Sequence, residues 1–157
     1  MQKESQRKYY YMKTINNNAI SARDDRRHEV IILGKAIGVK CQRQIGALID
    51  PALIERVFTA QQQGNYLETL LAAIPYSLYQ IVDCIIRQAE KDLHASFKDA
   101  LYLFLLDHIH FSLRMHREQS EIPNPLLTEI KLFHKEEFAA ALHSVAIINE
   151  HTHANLD

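Results

Sequence analysis

The spacing of the apolar residues changes near residue 60, and this change is the strongest constraint on the fold. Before it, short β-branched runs such as Glu29–Gly34 end at glycine, which is typical of strands. After it, apolar residues recur at three- and four-residue steps over Leu78–Leu93, the spacing of one helix face. We therefore predict an α+β chain, with a small antiparallel β-sheet at residues 12–60, a polar linker at 59–65 and an all-α helical bundle at 66–157.

The first part is predicted to hold five short strands, at residues 19–22, 29–34, 37–39, 45–50 and 54–58. So few short strands bury little apolar surface, and we expect a second copy of the chain to complete the fold as a homodimer. Residues 1–11 contain no apolar stretch of the kind found in signal peptides. We expect Met12 to be the natural start, with residues 1–11 as an upstream extension.

Positive charge is concentrated in the first part of the chain. Residues 1–58 carry 11 Lys and Arg against 6 Asp and Glu, whereas the remainder carries 7 against 13. A basic segment joined to an acidic one is a candidate for binding a polyanion such as RNA. An ordinary solvated surface would give the same count, and the charge alone leaves both interpretations open.

Several classes of protein are disfavoured by composition. Cys41 and Cys84 form no C-x-x-C motif, which argues against a disulfide scaffold or zinc knuckle and favours the reducing cytoplasm. The longest apolar run is interrupted at Asp107-His108, so we expect no membrane insertion. Phosphate-loop and hydrolase motifs are missing from the sequence, and its histidine pairs are not completed by other ligand types. We therefore expect no enzyme activity, no cofactor and no metal.

Helix boundaries in the second part are marked by capping residues. Ser96–Asp99 is similar to a capping box, and Asn124 with Pro125 is suited to starting the following helix. Apolar stripes at Leu126–Phe133 and Phe138–Ile148 indicate two further helices, and the whole predicts an antiparallel bundle.

The pair Asp107-His108 stands within the most apolar helical segment, Ala100–Leu113. A helix this apolar on all sides is expected to be buried, where a carboxylate and an imidazole are costly unless they are paired. An adjacent Asp can also set the imidazole tautomer and leave the other ring nitrogen reactive. The residues alone leave open a structural pair and a functional site.

Two sets of motifs together resemble one known family, and they occur in its order and at its spacing over residues 12–157. The first set, Lys13–Asn18 and Gly34–Gly38, is similar to the N-terminal RNA-binding domain of BglG-type transcriptional antiterminators. The second set is similar to the first regulatory domain of that family, which responds to the sugar phosphotransferase system; it comprises Leu106–Ile109, Phe111, Asn124–Leu127, Glu129-Ile130 and Glu137-Phe138.

This resemblance implies a cytoplasmic, homodimeric protein that binds an RNA hairpin and so prevents termination in sugar-utilisation genes. It implies control through histidine phosphorylation by phosphocarrier or sugar-transport proteins of the phosphotransferase system. His108 would be the phosphoryl acceptor, with Asp107 supporting it. By this resemblance Lys13, Asn18, Gly34 and Lys35 would face RNA. Lys40, as a further positive charge, and Val39 beside it are the other candidate RNA-binding positions.

The chain departs from the family pattern at four places. Ala36 stands where the family usually has glycine, and Val39 where it usually has an aromatic residue that could stack on a base. Arg114 is shifted relative to the arginine expected after Phe111. The family continues beyond Asp157, so we expect a truncated regulatory domain with an exposed apolar face. The alternative function is a dimeric helical interaction module, a fragment or decoy that no longer binds RNA.

Overall fold

Three of the runs predicted as strands form an antiparallel sheet with a further strand at Tyr9–Asn16, and the second part of the chain forms helices. The structure is a computed structural model that describes residues 7–41, 43–59, 64–120 and 123–157. Contacts divide the chain into two units, Met1–Tyr76 and Ser77–Asp157. The predicted α+β class is confirmed.

The first unit contains a sheet of order β1-β2-β3-β4 with short helical elements. In chain order its elements are β1 (Tyr9–Asn16), β2 (Ala19–Asp24), β3 (Glu29–Leu33), α1 (Ile37–Lys40), a 3₁₀ turn (Pro51–Leu53), β4 (Arg56–Thr59) and α2 (Gly64–Ala73). The helices that follow are α3 (Tyr76–Asp92), α4 (Asp99–Arg117), α5 (Leu127–Phe133) and α6 (Lys135–Thr152).

The strands predicted at residues 19–22, 29–34 and 54–58 are confirmed, whereas those at 37–39 and 45–50 are wrong. The segment 37–39 forms α1, because a local turn brings its backbone against the end of β1. The segment 45–50 lies beside β1, and the N–H of Ile49 donates to the carbonyl of Tyr9 at 2.9 Å. It forms only one isolated bridge, between Tyr10 and Leu48, and Gly46 has a left-handed φ of 83°, which is not a strand conformation.

Residues 9–11 belong to the fold. They form the start of β1 and pair with β2 in register, Tyr9 with Asp24 and Tyr11 with Ala22. The Tyr11 side chain is 6% exposed within the core of this unit, and its hydroxyl lies 2.9 Å from Thr14 Oγ1.

Strand β1 is irregular at two places. The register of pairing with β2 shifts between Tyr11 and Lys13 and again between Thr14 and Asn16. Each shift leaves one extra residue, Met12 and then Ile15, opposite the partner strand, which is the arrangement of a β-bulge. These bulges set the faces on which the side chains of β1 lie.

The domain bounds 12–60 and 66–157 remain predictions. The linker predicted at 59–65 lies partly outside the described residues, and by contacts α2 is grouped with the sheet. Leu67 and Leu71, four residues apart on α2, are both buried.

The helical stripe predicted on α3 is confirmed, whereas α5 has no buried residue, and Leu127 and Phe133 of its predicted stripe are exposed. On α3 the apolar residues from Leu78 to Ile86 are buried at the expected spacing. On α4 the buried set is Tyr102, Leu106, Ile109 and Leu113.

Two local predictions need correction. Lys98, and not Ser96, precedes α4 as its N-cap, with no capping hydrogen bond from its side chain. The prediction that α4 is buried all round is wrong, because Phe104 is 76% exposed and His108 is exposed. A third prediction is confirmed only in part: Asn124 Oδ1 accepts the N–H of Leu126 at 3.0 Å, but Leu126, and not Asn124, is the N-cap of α5.

Replacing Tyr11 with alanine tests whether residues 9–11 are structural. We expect Tyr11→Ala to lower the free energy of unfolding by about 3 kcal/mol, because a buried aromatic ring is removed from the core. Tyr66→Ala is the matched control: its ring is 57% exposed, and we expect a loss of about 1 kcal/mol or less. Urea denaturation measures both, and equal losses would contradict the core role of Tyr11.

Candidate functional site

The triple-asparagine turn and the glycine-lysine segment meet at one end of the sheet. The N–H of Gly34 donates to the carbonyl of Asn18 at 3.0 Å, and the N–H of Gly38 donates to the carbonyl of Asn17 at 2.9 Å. The N–H of Ala36 donates to the side-chain Oδ1 of Asn18 at 2.8 Å. The structure therefore brings the two motifs into one surface, which we call the turn surface, formed by residues 16–18 and 34–40.

Asn18 holds the turn surface together. Its Oδ1 is used by Ala36, and its own N–H donates to Asn16 Oδ1 at 2.7 Å. Within the described part of the chain, the Nδ2 of Asn18 has no hydrogen-bond partner. The amide therefore has a donor to offer a base edge, while its acceptor serves the fold.

Gly34 is buried, and the structure gives a reason for glycine that does not involve RNA. A Cβ at this position would lie 1.9 Å from the carbonyl oxygen of Leu53. Gly38 is similarly restricted, because its Cβ would lie 2.1 Å from the carbonyl oxygen of Asn16. Both glycines allow segments of this chain to approach each other, and the expectation that RNA approaches Gly34 remains a prediction.

Positively charged side chains surround the turn surface. Lys35 and Lys40 are exposed, and Val39, on α1, is 53% exposed beside them. Arg43 lies close by, since its Nε donates to the carbonyl of Gly38 at 3.0 Å. Lys13 is exposed on β1. Of the predicted RNA-binding residues other than the buried Gly34, Asn18, Lys35, Val39 and Lys40 therefore belong to the turn surface, and Lys13 lies on β1, the strand that leads into it.

Two carboxylates within this region were missed by the sequence analysis. Glu55 Oε1 accepts the backbone N–H of Lys35 at 3.2 Å and the Tyr76 hydroxyl at 2.9 Å. Glu68, on α2, places its Oε2 at 2.8 Å from Lys13 Nζ. Both contacts join residues far apart in the chain, and local sequence carries no signal for them.

Ala36 adopts a backbone conformation that favours glycine. Its φ of 57° and ψ of 25° lie in the left-handed region, immediately before α1. A Cβ in this region costs about 1–2 kcal/mol relative to a right-handed conformation. The usual glycine of the family at this position therefore has a physical reason in the fold of this chain.

His108 lies on the exposed surface of α4. Within the described residues neither of its ring nitrogens has a hydrogen-bond partner. Asp107 is half-buried, and adjacent residues of a helix point about 100° apart. The expected hydrogen bond from a His108 ring N–H to the Asp107 carboxylate, which would fix the tautomer, is therefore not formed in this conformation.

His108 lines a groove of about 700 Å³ in the second unit. The groove follows residues of α4 and α6, and its wall is mostly apolar, with Ile109, Val145 and Ile148 among the lining residues. The imidazole is thus a polar group at the edge of an open apolar surface.

A second histidine of this unit is held by a carboxylate. His143 Nδ1, on α6, lies 2.7 Å from Asp92 Oδ2 at the end of α3, and Gln88 Nε2 donates to the other oxygen at 2.8 Å. The His143 hydrogen bond, followed by that of Gln88, lowers the pKa of Asp92 below its usual value of 3.8. This pair joins two helices and stands apart from His108.

Neither a metal site nor a membrane span is found in the part of the chain that the structure describes. No group of three or more His, Cys, Asp or Glu side chains is arranged to hold a metal ion. No single described helix is long and apolar enough to cross a membrane, and only α2 and α3 counted together would meet that test.

Comparisons with known proteins agree with this geometry. Residues 11–66 match the CAT RNA binding domain family, and residues 83–157 match the PRD domain family. The chain is 24% identical to a solved chain described as the crystal structure of GlcT CAT-PRDI. That alignment covers 95% of this chain and 88% of the other with a TM-score of 0.72, and it supports the fold.

Two relatives are more similar in sequence. The beta-glucoside operon antiterminator of Dickeya chrysanthemi is 32% identical over 139 residues, which is 87% of this chain and 48% of that protein. Transcription antiterminator LicT of Bacillus subtilis (strain 168) is 32% identical over 146 residues, 92% of this chain and 52% of LicT. The chain thus spans about half the length of the curated relatives it matches.

A CAT RNA-binding domain followed by a PRD domain defines a class of regulatory proteins, and this chain has both in that order. It belongs to the BglG-type family of transcriptional antiterminators, as the sequence motifs predicted.

The left-handed backbone conformation of Ala36 predicts that glycine at this position would stabilise the fold. We expect Ala36→Gly to raise the free energy of unfolding by about 0.5–1 kcal/mol, because the relieved Cβ strain exceeds the added flexibility of the unfolded chain. Ala52→Gly is the control, since Ala52 is exposed in the 3₁₀ turn and its substitution should destabilise. Thermal unfolding monitored by circular dichroism compares them, and a destabilised Ala36→Gly would contradict the strain.

Proposed function

We propose that this protein is a cytoplasmic transcriptional antiterminator that binds an RNA hairpin and is controlled by phosphorylation of His108. The observation that carries the first part is the turn surface: the Asn18–Ala36 hydrogen bond joins the two motifs beneath the exposed Lys35 and Lys40. Protein side chains read RNA loops through base edges and backbone contacts, and lysines bind phosphates.

A homodimer is part of this proposal. The first unit exposes large apolar side chains at Ile45, which is 73% exposed, and Leu48, which is 57% exposed. A small sheet gains stability when a second copy covers such residues. Two copies would also present two turn surfaces to one hairpin.

RNA binding is tested with the consensus antiterminator hairpin of the family. We expect Lys35→Ala and Lys40→Ala each to weaken binding and to make the salt dependence of the association constant shallower by about 0.7–0.9, because one phosphate contact is lost. Arg26→Ala is the matched control, since Arg26 is exposed in the β2–β3 turn at the opposite end of those strands.

A filter-binding titration at several salt concentrations measures these slopes, and its stoichiometry should be two chains per hairpin. If Arg26→Ala weakened RNA binding as much as the lysine variants, the affinity would depend on the overall positive charge and not on the turn surface. Failure of the wild-type chain to bind the hairpin would favour the alternative, a helical interaction module without RNA binding.

The phosphorylation proposal is supported by the accessibility of His108. Its exposed imidazole stands at the edge of the α4–α6 groove, where a donor protein can reach it. A ring nitrogen would attack the phosphorus of a phosphohistidine on a phosphotransferase-system phosphocarrier or sugar-transport protein, and the phosphorus–nitrogen bond of the donor would break. The product carries about −1.5 to −2 added charge, by analogy with phosphoserine, on an apolar wall.

Labelling with phosphoenolpyruvate and phosphotransferase-system proteins identifies the acceptor. We expect His108→Ala to lose most of the label because the accessible imidazole is gone. His143→Ala should keep it and is the matched control, since His143 is also exposed but is hydrogen-bonded to Asp92. Equal labelling of wild type and His108→Ala would contradict the assignment.

A further inference from the structure

Helix α2 is attached to strand β1 by two side-chain contacts. Glu68 Oε2 lies 2.8 Å from Lys13 Nζ, and Asn16 Nδ2 donates to the carbonyl of Leu71 at 2.8 Å. Residues 68 and 71 are three apart on α2, so they lie on the same face of the helix. This face of α2 is therefore fixed against the strand that leads into the triple-asparagine turn.

The position of Glu68 is well defined by its surroundings. Leu71, one turn along α2, is 0% exposed, and the side chain of Glu68 is only 25% exposed. The side chain of Lys13 is 59% exposed, so its ammonium group is accessible from solvent while it contacts the carboxylate. A carboxylate at this distance occupies one direction of the ammonium group and repels a phosphate that approaches it.

We propose that Glu68 limits the RNA affinity of this protein by holding the ammonium group of Lys13 on α2. The proposal rests on the proposed function, in which Lys13 contacts RNA. An RNA phosphate must compete with the Glu68 carboxylate for Lys13, and part of the binding free energy is used in that exchange. Glu68 thus acts on RNA through Lys13 and does not contact RNA itself.

This arrangement connects RNA affinity to the placement of α2. Helix α2 is the last element of the first unit before the chain enters the second unit at Ser77. A change that lifts α2 from β1 would release Lys13 and break the Asn16–Leu71 hydrogen bond together. The carboxylate therefore makes the affinity of the basic surface depend on a helix outside it.

Removing the charge of Glu68 tests the proposal. We expect Glu68→Gln to bind the consensus antiterminator hairpin about 1.5- to 5-fold more tightly at low salt, the range that an exposed ion pair corresponds to. The salt dependence should become steeper by up to about 0.7–0.9, because one more lysine is free to contact phosphate. Glu29→Gln is the matched control: it removes the same charge from an exposed carboxylate at the far end of β3 and should leave the affinity unchanged.

A double-mutant cycle with Lys13→Ala separates the local effect from a general charge effect. We expect the gain from Glu68→Gln to disappear when Lys13 is alanine. A gain that persists in the Lys13→Ala background, an equal gain in Glu29→Gln, or unchanged or weaker binding by Glu68→Gln would each overturn the proposal. Thermal unfolding of each variant shows that the fold is retained.

Failure of the proposed function gives a different pattern. If the wild type binds the hairpin and Glu68→Gln binds it equally, only the role of Glu68 is overturned. If the wild type and all variants fail to bind, RNA binding and the role of Glu68 are overturned together. If only Glu68→Gln binds, both are supported, and the carboxylate is the dominant limit on affinity.

Discussion

The hydrogen bond from the Ala36 N–H to Asn18 Oδ1 is the interaction on which the candidate RNA surface depends. It joins the β1–β2 turn to the segment that follows β3, and strands β2 and β3 lie between these two segments in the chain. The main-chain hydrogen bond from the Gly34 N–H to the Asn18 carbonyl joins the same two segments. Together with the main-chain bonds from Gly34 and Gly38 to the β1–β2 turn, this bridge fixes the backbone that carries the exposed Lys35 and Lys40.

Sequence reasoning succeeded where a pattern repeats along the chain. Alternating or continuous β-branched residues identified β2, β3 and β4, and three- and four-residue spacing identified α3. It failed where contacts between distant residues decide the conformation. The segment Ile37–Val39 has the composition of a strand, yet the backbone contact of Gly38 with the β1–β2 turn makes it helical. The apolar composition of α4 predicted burial on all sides, yet Phe104 is exposed. Composition does not determine which faces of a helix are covered by other elements of the fold.

The same limit applies to the candidate functional residues. Motifs identified the basic and amide side chains of the turn surface, since those residue types are contiguous in the chain. The acidic partners Glu55 and Glu68 were missed, because their relevance arises only when α2 and the segment before β4 fold against the sheet. The two units also differ in chemistry: the first offers donors and positive charge, whereas the second offers an apolar groove with an imidazole at its edge.

The two bulges of β1 have a consequence for how this chain can vary or be redesigned. Each bulge resets the alternation of side chains between the faces of the sheet, so the number of residues between Tyr11 and Asn16 determines which of them point inward. Substituting side chains in this stretch preserves the assignment of residues to the two faces of the sheet. A one-residue insertion or deletion would exchange the inward-facing and outward-facing residues that follow it. The segment Tyr9–Asn18 therefore behaves as an indivisible block, and transplanting the asparagine turn into another scaffold requires moving the whole block with its irregular spacing intact.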